Sequence, residues 1–163
     1  MATTETAVRI PGAIDLSLEY TIDAPPERVW QALTAELARW WGSGFHLGET
    51  PTDLTLELEV GGRLLEFWGD RGGALWGRVT GLEHGRWVEL EGRFGIAGPV
   101  IGIVCWEVEP LAAGTRLKLS HTAHGLLREG TGESYTYGWN LLLGENLKAW
   151  VERGEARGLP GVD

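Results

Sequence analysis

The fold is decided by residues 134–151, SYTYGWNLLLGENLKAWV, in which mostly apolar side chains recur every three or four positions. This spacing predicts a helix of about five turns with one apolar stripe. Because the stripe has to be buried, the rest of the chain must supply a surface that covers it. The stripe consists of Tyr135, Trp139, Leu142, Leu143, Asn146, Leu147 and Trp150.

A sheet is the predicted cover. Residues 14–22, IDLSLEYTI, alternate strictly between apolar and polar side chains, which indicates a half-buried strand. Short turns rich in glycine separate further strands, and such short links make neighbours antiparallel. We therefore expect an antiparallel sheet of six to seven strands. The other strands are predicted at about 54–60, 63–68, 74–82, 86–94, 101–109 and 114–122.

Two segments that follow the first strand lack the strand pattern. The Pro25-Pro26 pair and the helical spacing after it predict a helix from about Pro25 to Leu37. Residues 38–51, ARWWGSGFHLGETP, mix aromatic residues with Gly, Ser and Pro, which predicts a short helical turn followed by a loop. This loop is a candidate cavity mouth.

The chain length and pattern favour one domain. A chain of 163 residues falls within the usual size of a single domain, and no repeat or linker divides it. We expect a single domain over residues 1–163 with an ordered core at about 14–153. The order of strands and helices indicates the α+β class.

Charge and hydropathy exclude several kinds of partner. The formal net charge is −9 and the 14 Lys and Arg are scattered singly, so a nucleic-acid partner is not expected. The surplus of acidic residues also disfavours binding to an anionic membrane surface, and no apolar run approaches the length of a membrane-spanning helix. We expect no membrane association.

The N-terminal segment and the cysteine count bear on location and cofactors. MATTETAVRIPGA has no signal-peptide pattern, and the lone Cys105 fits a reducing compartment, so we expect a cytoplasmic protein. The spacings of His46, His84, His121 and His124 do not form a metal-ligand motif. Phosphate-binding glycine patterns are absent from the sequence, so we expect no metal and no cofactor.

Several segments match a known family pattern in their order along the chain. They are APPERVWQALT at 24–34, GGR at 61–63, GRVTGLE at 77–83, TRLKLSH at 115–121 and GWNLLLGENLKAWVE at 138–152. Together they resemble the bacterial family related to the C-terminal domain of the activator of Hsp90 ATPase. That family is part of the helix-grip superfamily (SRPBCC or START-like), which includes START domains, birch-pollen-allergen-like proteins and aromatase/cyclases. The resemblance implies a Bet v 1-like curved antiparallel sheet around a long C-terminal helix, with an apolar cavity between them.

Aromatic residues are the first candidates for ligand contact. The chain has nine tryptophans, more aromatic surface than a close-packed core of this size needs. Some of them could stack on a flat ligand, although core packing is an alternative for each. The candidates are Trp41, Phe45, Trp68, Trp106, Tyr135 and Trp139. Trp76 is not among them, because it is expected on the outer face of the sheet with Arg78.

Glu66 is the candidate polar residue of the cavity. In RLLEFW at 63–68, Leu64, Glu66 and Trp68 share one face, and the family pattern implies that this face turns inward. An inward carboxylate needs a partner, and Arg78, His121 or a ligand donor could provide it. The opposite register stays open, because both faces of this strand are apolar.

His121 is the second candidate. It follows Leu117 and Leu119 at period two, so it faces the helix if they do. A general base and a buried histidine bonded to a backbone carbonyl are the two interpretations.

The predicted function is the binding of a small hydrophobic or aromatic molecule in the cavity. One alternative is a polyketide cyclase-like or other acid/base enzyme in which Glu66 or His121 moves a proton. A second alternative, a module that acts on an Hsp90-type chaperone, is not expected. Whether the chain forms a homodimer stays open.

Overall fold

The structure is a computed structural model that describes residues 8–161. The two ends of the predicted domain, and the start of the N-terminal segment assessed for a signal peptide, lie outside the described residues. The strands are β1 (Ile10–Ile22), β2 (Asp53–Leu56), β3 (Arg63–Phe67), β4 (Gly73–Glu83), β5 (Trp87–Glu91), β6 (Val100–Pro110) and β7 (Thr115–Leu127). The helices are α1 (Pro26–Ala35), α2 (Leu37–Trp40), α3 (Thr131–Trp139) and α4 (Lys148–Arg153).

The seven strands form one curved antiparallel sheet in the order β1-β7-β6-β5-β4-β3-β2. Consecutive strands from β2 to β7 are neighbours, so that part is a meander, and β1 closes the far edge by pairing with β7 along its whole length. The sheet lies against the long C-terminal helix. The predicted α+β helix-grip fold is confirmed.

The C-terminal helix is continuous from α3 to α4, but its middle differs from the regular helix that the spacing predicts. Residues Asn140–Leu147 form a π-helical segment between α3 and α4. Gly144 lies within it, and a Cβ at this position would come within 3.0 Å of the Tyr20 ring. Trp139, Leu142, Leu143 and Leu147 are buried, so the predicted stripe still forms one side of the core.

A β-bulge in β4 turns one tryptophan inward. Leu64 pairs with Gly77 and Leu65 pairs with Leu75, which leaves Trp76 as the extra residue between them. A bulge breaks the strand alternation locally and redirects the side chain. Trp76 is therefore buried, and the expectation that it shares the outer face with the exposed Arg78 is wrong.

Among residues 8–161, no helix is both long enough and apolar enough to cross a bilayer.

Candidate functional site

A pocket of about 310 Å³ opens beside the C-terminal helix. Its rim is formed by the 3₁₀ turn Ser43–Phe45 with the loop after it, by the turn at Phe94 and Gly95, and by one side of α3. The volume is at the lower end of the range for small-molecule sites. The aromatic residues that line it, here called the aromatic wall, are Trp41, Phe45, Trp76, Phe94, Tyr135 and Trp139.

The rings of the aromatic wall pack mainly edge to face. Trp41 lies 5.3 Å from Trp76 at 71° and 5.9 Å from Trp139 at 85°, measured between ring centroids. Phe94 lies 6.3 Å from Trp139. Edge-to-face pairs are a favoured arrangement of aromatic rings, so the rings that pair within the wall hold one another in place. These are Trp41, Trp76, Phe94 and Trp139. The wall is therefore preorganised.

Behind the wall, the carboxylate of Glu66 is almost fully buried, with 1% of the residue exposed. Its Oε1 accepts hydrogen bonds from the Gly48 N–H and the Trp68 indole, both at 2.7 Å. Its Oε2 accepts from the Leu47 N–H and the Trp76 indole, both at 3.0 Å. One carboxylate thus connects the segment at 43–48, here called the rim loop, to β3 and β4.

These contacts answer the two questions that the sequence left open for Glu66. The residue faces inward with Leu64, while Phe67 on the other face is 40% exposed. Of the candidate partners, neither Arg78 nor His121 donates to the carboxylate, because the four donors belong to the rim loop and two indoles. Arg78 instead extends over the surface toward the Gly61 carbonyl.

The electrostatics of Glu66 follow from its donors. Burial raises its pKa, but the hydrogen bonds from Leu47, Gly48, Trp68 and Trp76 together outweigh burial and hold the pKa below its usual range. The carboxylate is therefore ionised at neutral pH. Because the four donors occupy both oxygens, it has little capacity left to accept a proton from a substrate.

His46 is a site residue that the sequence pattern did not reveal. Its side chain is fully buried, with Nδ1 3.3 Å from Oε2 of Glu66 and Nε2 3.2 Å from the Trp41 carbonyl. It also lines the pocket. A histidine in a loop carries no periodicity, so only the folded structure brings it to Glu66. Among residues 8–161, no group of three potential ligands is placed to hold a metal ion.

His121 lies deeper than the pocket. It is fully buried on β7, and its Nδ1 accepts a hydrogen bond of 3.1 Å from the Trp139 indole. Burial lowers its pKa to about 4, so the ring is neutral at pH 7 and Nε2 carries the proton. His121 therefore accepts a hydrogen bond from an indole N–H and does not donate one to a backbone carbonyl.

The predicted aromatic residues divide into two groups. Trp41, Phe45, Tyr135 and Trp139 line the pocket. Trp106 is fully buried behind Trp139, with the two ring centroids 6.3 Å apart, so it does not line the pocket.

Trp68 is half-buried and supports Glu66 instead of lining the pocket. Trp76 and Phe94 complete the wall and were missed, Trp76 because of the bulge.

Phe94 adopts a backbone conformation that side-chain-bearing residues rarely take. Its φ is 48°, and it is the one such residue other than glycine among those described, at positions 8–161. Its carbonyl accepts a hydrogen bond of 2.7 Å from the Tyr135 hydroxyl. Left-handed conformations of bulky residues persist where surrounding contacts hold them, and they are enriched at functional sites.

Solved structures share this fold. An uncharacterised protein from Rhizobium leguminosarum aligns with a TM-score of 0.67 at 21% identity, covering 90% of this chain and 99% of the other. CalU16 from Micromonospora echinospora aligns with a TM-score of 0.59 at 21% identity over 95% of this chain and 86% of its own. DynU16, from the dynemicin biosynthetic locus, aligns with a TM-score of 0.62 at 19% identity over 89% of this chain and 49% of its own.

Sequence identities this low to solved structures establish the shared fold but do not identify a ligand. No curated protein matches the chain. A family model, described as "Activator of Hsp90 ATPase homolog 1-like protein", matches residues 23–152, which includes β2 to β7 and nearly all of the C-terminal helix. The chain therefore belongs to the family of proteins like activator of Hsp90 ATPase homolog 1.

Proposed function

We propose that this protein binds a small hydrophobic or aromatic molecule in the pocket beside the C-terminal helix. The observation that carries the proposal is the aromatic wall: large rings line an open pocket of about 310 Å³ instead of filling it. Concave sites with mostly apolar walls and a few placed polar groups are typical of small-molecule binding.

The rigidity of the wall supports the same proposal. Glu66 fixes the rim loop through the N–H groups of Leu47 and Gly48, and it fixes the wall through the Trp76 indole. A pocket that is already ordered loses less conformational entropy when a ligand binds. The buried carboxylate thus has a structural role that serves binding.

The contacts give less support to an acid/base enzyme. The oxygens of Glu66 already accept four hydrogen bonds, and His121 is buried behind Trp139 with a pKa lowered by burial to about 4. A general base has to come within hydrogen-bond reach of the proton it removes. The contacts within residues 8–161 do not bear on action on an Hsp90-type chaperone.

A ligand screen tests the proposal. Fragments covering aliphatic, aromatic and fused-ring compounds would be tested by thermal shift, and hits would be measured by calorimetry. We expect hits to raise the melting temperature, because binding to the folded state alone stabilises it. Nuclear magnetic resonance should show shifts of the Trp41, Trp76 and Trp139 indole N–H signals.

A variant that plugs the pocket provides the control. Ser134 lines the pocket from the exposed first turn of α3, so Ser134→Phe should abolish binding without disturbing the core. Glu145→Phe places the same ring on an exposed position of the helix that does not line the pocket, and it should leave binding intact. Ligands that bind Ser134→Phe as tightly as the wild type would contradict the proposal. A broad screen that finds no ligand would contradict it as well.

A further inference from the structure

The charges of the lining side chains limit the class of ligand that the pocket can bind. No lysine or arginine lines it, and its wall consists of aromatic rings with Leu47, Leu142, Ser134, His46 and glycines. An anionic ligand would find no cationic side chain to replace its lost hydration, and burying an unpaired charge is costly.

The hydrogen-bond donors of the wall are already engaged. The Trp41 indole donates to the Phe45 carbonyl at 3.1 Å, and the Trp139 indole donates to His121 at 3.1 Å. The Trp76 indole donates to Glu66, and the Tyr135 hydroxyl donates to the Phe94 carbonyl. Toward a ligand, these residues offer their π-systems and not their polar hydrogens.

A negative charge lies directly behind this wall. The ionised carboxylate of Glu66 accepts from the Trp76 indole, and donation to an anion increases the electron density of the donor ring. His46 lies 3.3 Å from the same carboxylate. A cation on the pocket side of the wall is therefore attracted by the charge of the Glu66 carboxylate.

We propose that the occupant carries a quaternary ammonium or a similar alkylated cationic group. This inference rests on the proposed ligand-binding function and specifies its ligand class. Cations within about 6 Å of an indole face are attracted by its quadrupole, most strongly when both are removed from water. The net charge of −9 favours the approach of cations over anions.

The choice of a quaternary cation follows from hydrogen bonding. A primary ammonium has three N–H donors and needs an acceptor for each in a buried site. Among the lining side chains, the hydroxyl oxygens of Ser134 and Tyr135 can accept, while His46 bonds the Trp41 carbonyl through Nε2 and packs against Glu66. These are fewer acceptors than the three N–H donors of a primary ammonium need. A quaternary ammonium has no N–H group, so the aromatic wall can enclose it without leaving a donor unpaired.

An isosteric pair of probes tests the charge. Benzyltrimethylammonium and neopentylbenzene have nearly the same shape and differ in the positive charge. Both would be titrated into the full chain, with binding followed by tryptophan fluorescence and by indole N–H shifts. We expect the cation to bind at least about tenfold more tightly, a factor typical of a desolvated cation on aromatic rings.

A matched substitution assigns the effect to the wall. Phe45 lines the pocket and is half-buried, so Phe45→Leu removes a π-system with little change in volume. It should weaken binding of the cation several-fold and leave that of neopentylbenzene nearly unchanged. Phe67→Leu makes the same change on the outer face of β3 and should affect neither probe.

The outcomes separate this inference from the proposed function. Equal affinities, or tighter binding of neopentylbenzene, would overturn the charged ligand class and leave the ligand-binding function standing. If the cation binds Phe45→Leu as tightly as it binds the wild type, it does not contact the aromatic wall. That result also overturns the inference. If neither probe binds, the quaternary class is wrong, and the ligand screen with Ser134→Phe decides the function independently.

Discussion

The Trp76 indole donates a hydrogen bond of 3.0 Å to Oε2 of Glu66, from one strand to the next across β3 and β4. Strict alternation would not bring these side chains together, because the pattern places Trp76 on the face of the exposed Arg78. The bulge at Trp76 turns the ring inward. The contact therefore joins the wall of the pocket to the buried carboxylate behind it.

Replacing Glu66 tests that carboxylate directly. In Glu66→Gln, an NH₂ group takes the place of one oxygen, and in either orientation two N–H donors lose their acceptor. We expect a loss of about 3–5 kcal/mol in the free energy of unfolding, measured with urea. The loss should shrink as the pH falls below the ordinary glutamate pKa of about 4.3, because the folded-state pKa is depressed and protonation removes the advantage of the carboxylate.

Glu57→Gln is the matched control for this experiment. Glu57 also pairs with a donor-rich neighbour, Arg63, but both side chains are solvent-exposed, so the unfolding midpoint should stay close to that of the wild type. Similar midpoints for Glu66→Gln and Glu57→Gln would show that Glu66 is not the buried acceptor described above.

Gly48 is predicted to tolerate no side chain. A Cβ at this position would lie 2.2 Å from Nε1 of Trp68, which itself donates to Glu66. Gly48→Ala must therefore displace the Trp68 ring or the rim loop, and we expect a loss of about 1–3 kcal/mol in urea unfolding. Gly44→Ala, in the same loop with no atom within 4 Å of its Cβ, should be nearly neutral. Equal effects of the two substitutions would refute the close packing of Gly48 on Trp68.

Tyr135→Phe tests what holds Phe94 in its left-handed conformation. The substitution removes the hydroxyl that donates to the Phe94 carbonyl at 2.7 Å and leaves the ring in the wall. We expect a loss of about 1 kcal/mol and weaker ligand binding, because the Phe94 turn becomes less ordered. Tyr137→Phe removes a hydroxyl from a residue that is 66% exposed and should change neither quantity. An unchanged stability in Tyr135→Phe would mean that this bond does not hold the turn.

The burial of His121 predicts a pH dependence of stability. Its folded-state pKa is lowered to about 4, whereas an unfolded histidine titrates near 6.5. Between these values the unfolded state binds a proton that the folded state does not, so stability should fall by roughly 3 kcal/mol as the pH drops from 6.5 to 4.

His121→Gln removes the titrating group and keeps an oxygen that can accept from the Trp139 indole. Unfolding midpoints measured between pH 4 and 7 should therefore change less in this variant than in the wild type. An equally steep change in both would mean that other groups cause the pH dependence.

The sequence by itself determined the elements whose signal is local. The alternation in 14–22 and the three-and-four spacing in 134–151 follow from the periods of strand and helix, so β1 and the C-terminal helix were predicted within a few residues. Short glycine-containing turns fixed the antiparallel order of the meander. Tyr135 and Trp139 entered the candidate site for the same reason, because the stripe has to face the sheet.

Only the tertiary structure decided the remainder of the site. The inward turn of Trp76 depends on how β4 pairs with β3, and the partners of Glu66 come from a loop that no periodicity positions. The same holds for His46 and for the left-handed Phe94, which is held by a hydroxyl on α3. Bulges, loop paths and long-range hydrogen bonds arise from pairing between distant segments, and a local pattern of apolar and polar residues does not encode them.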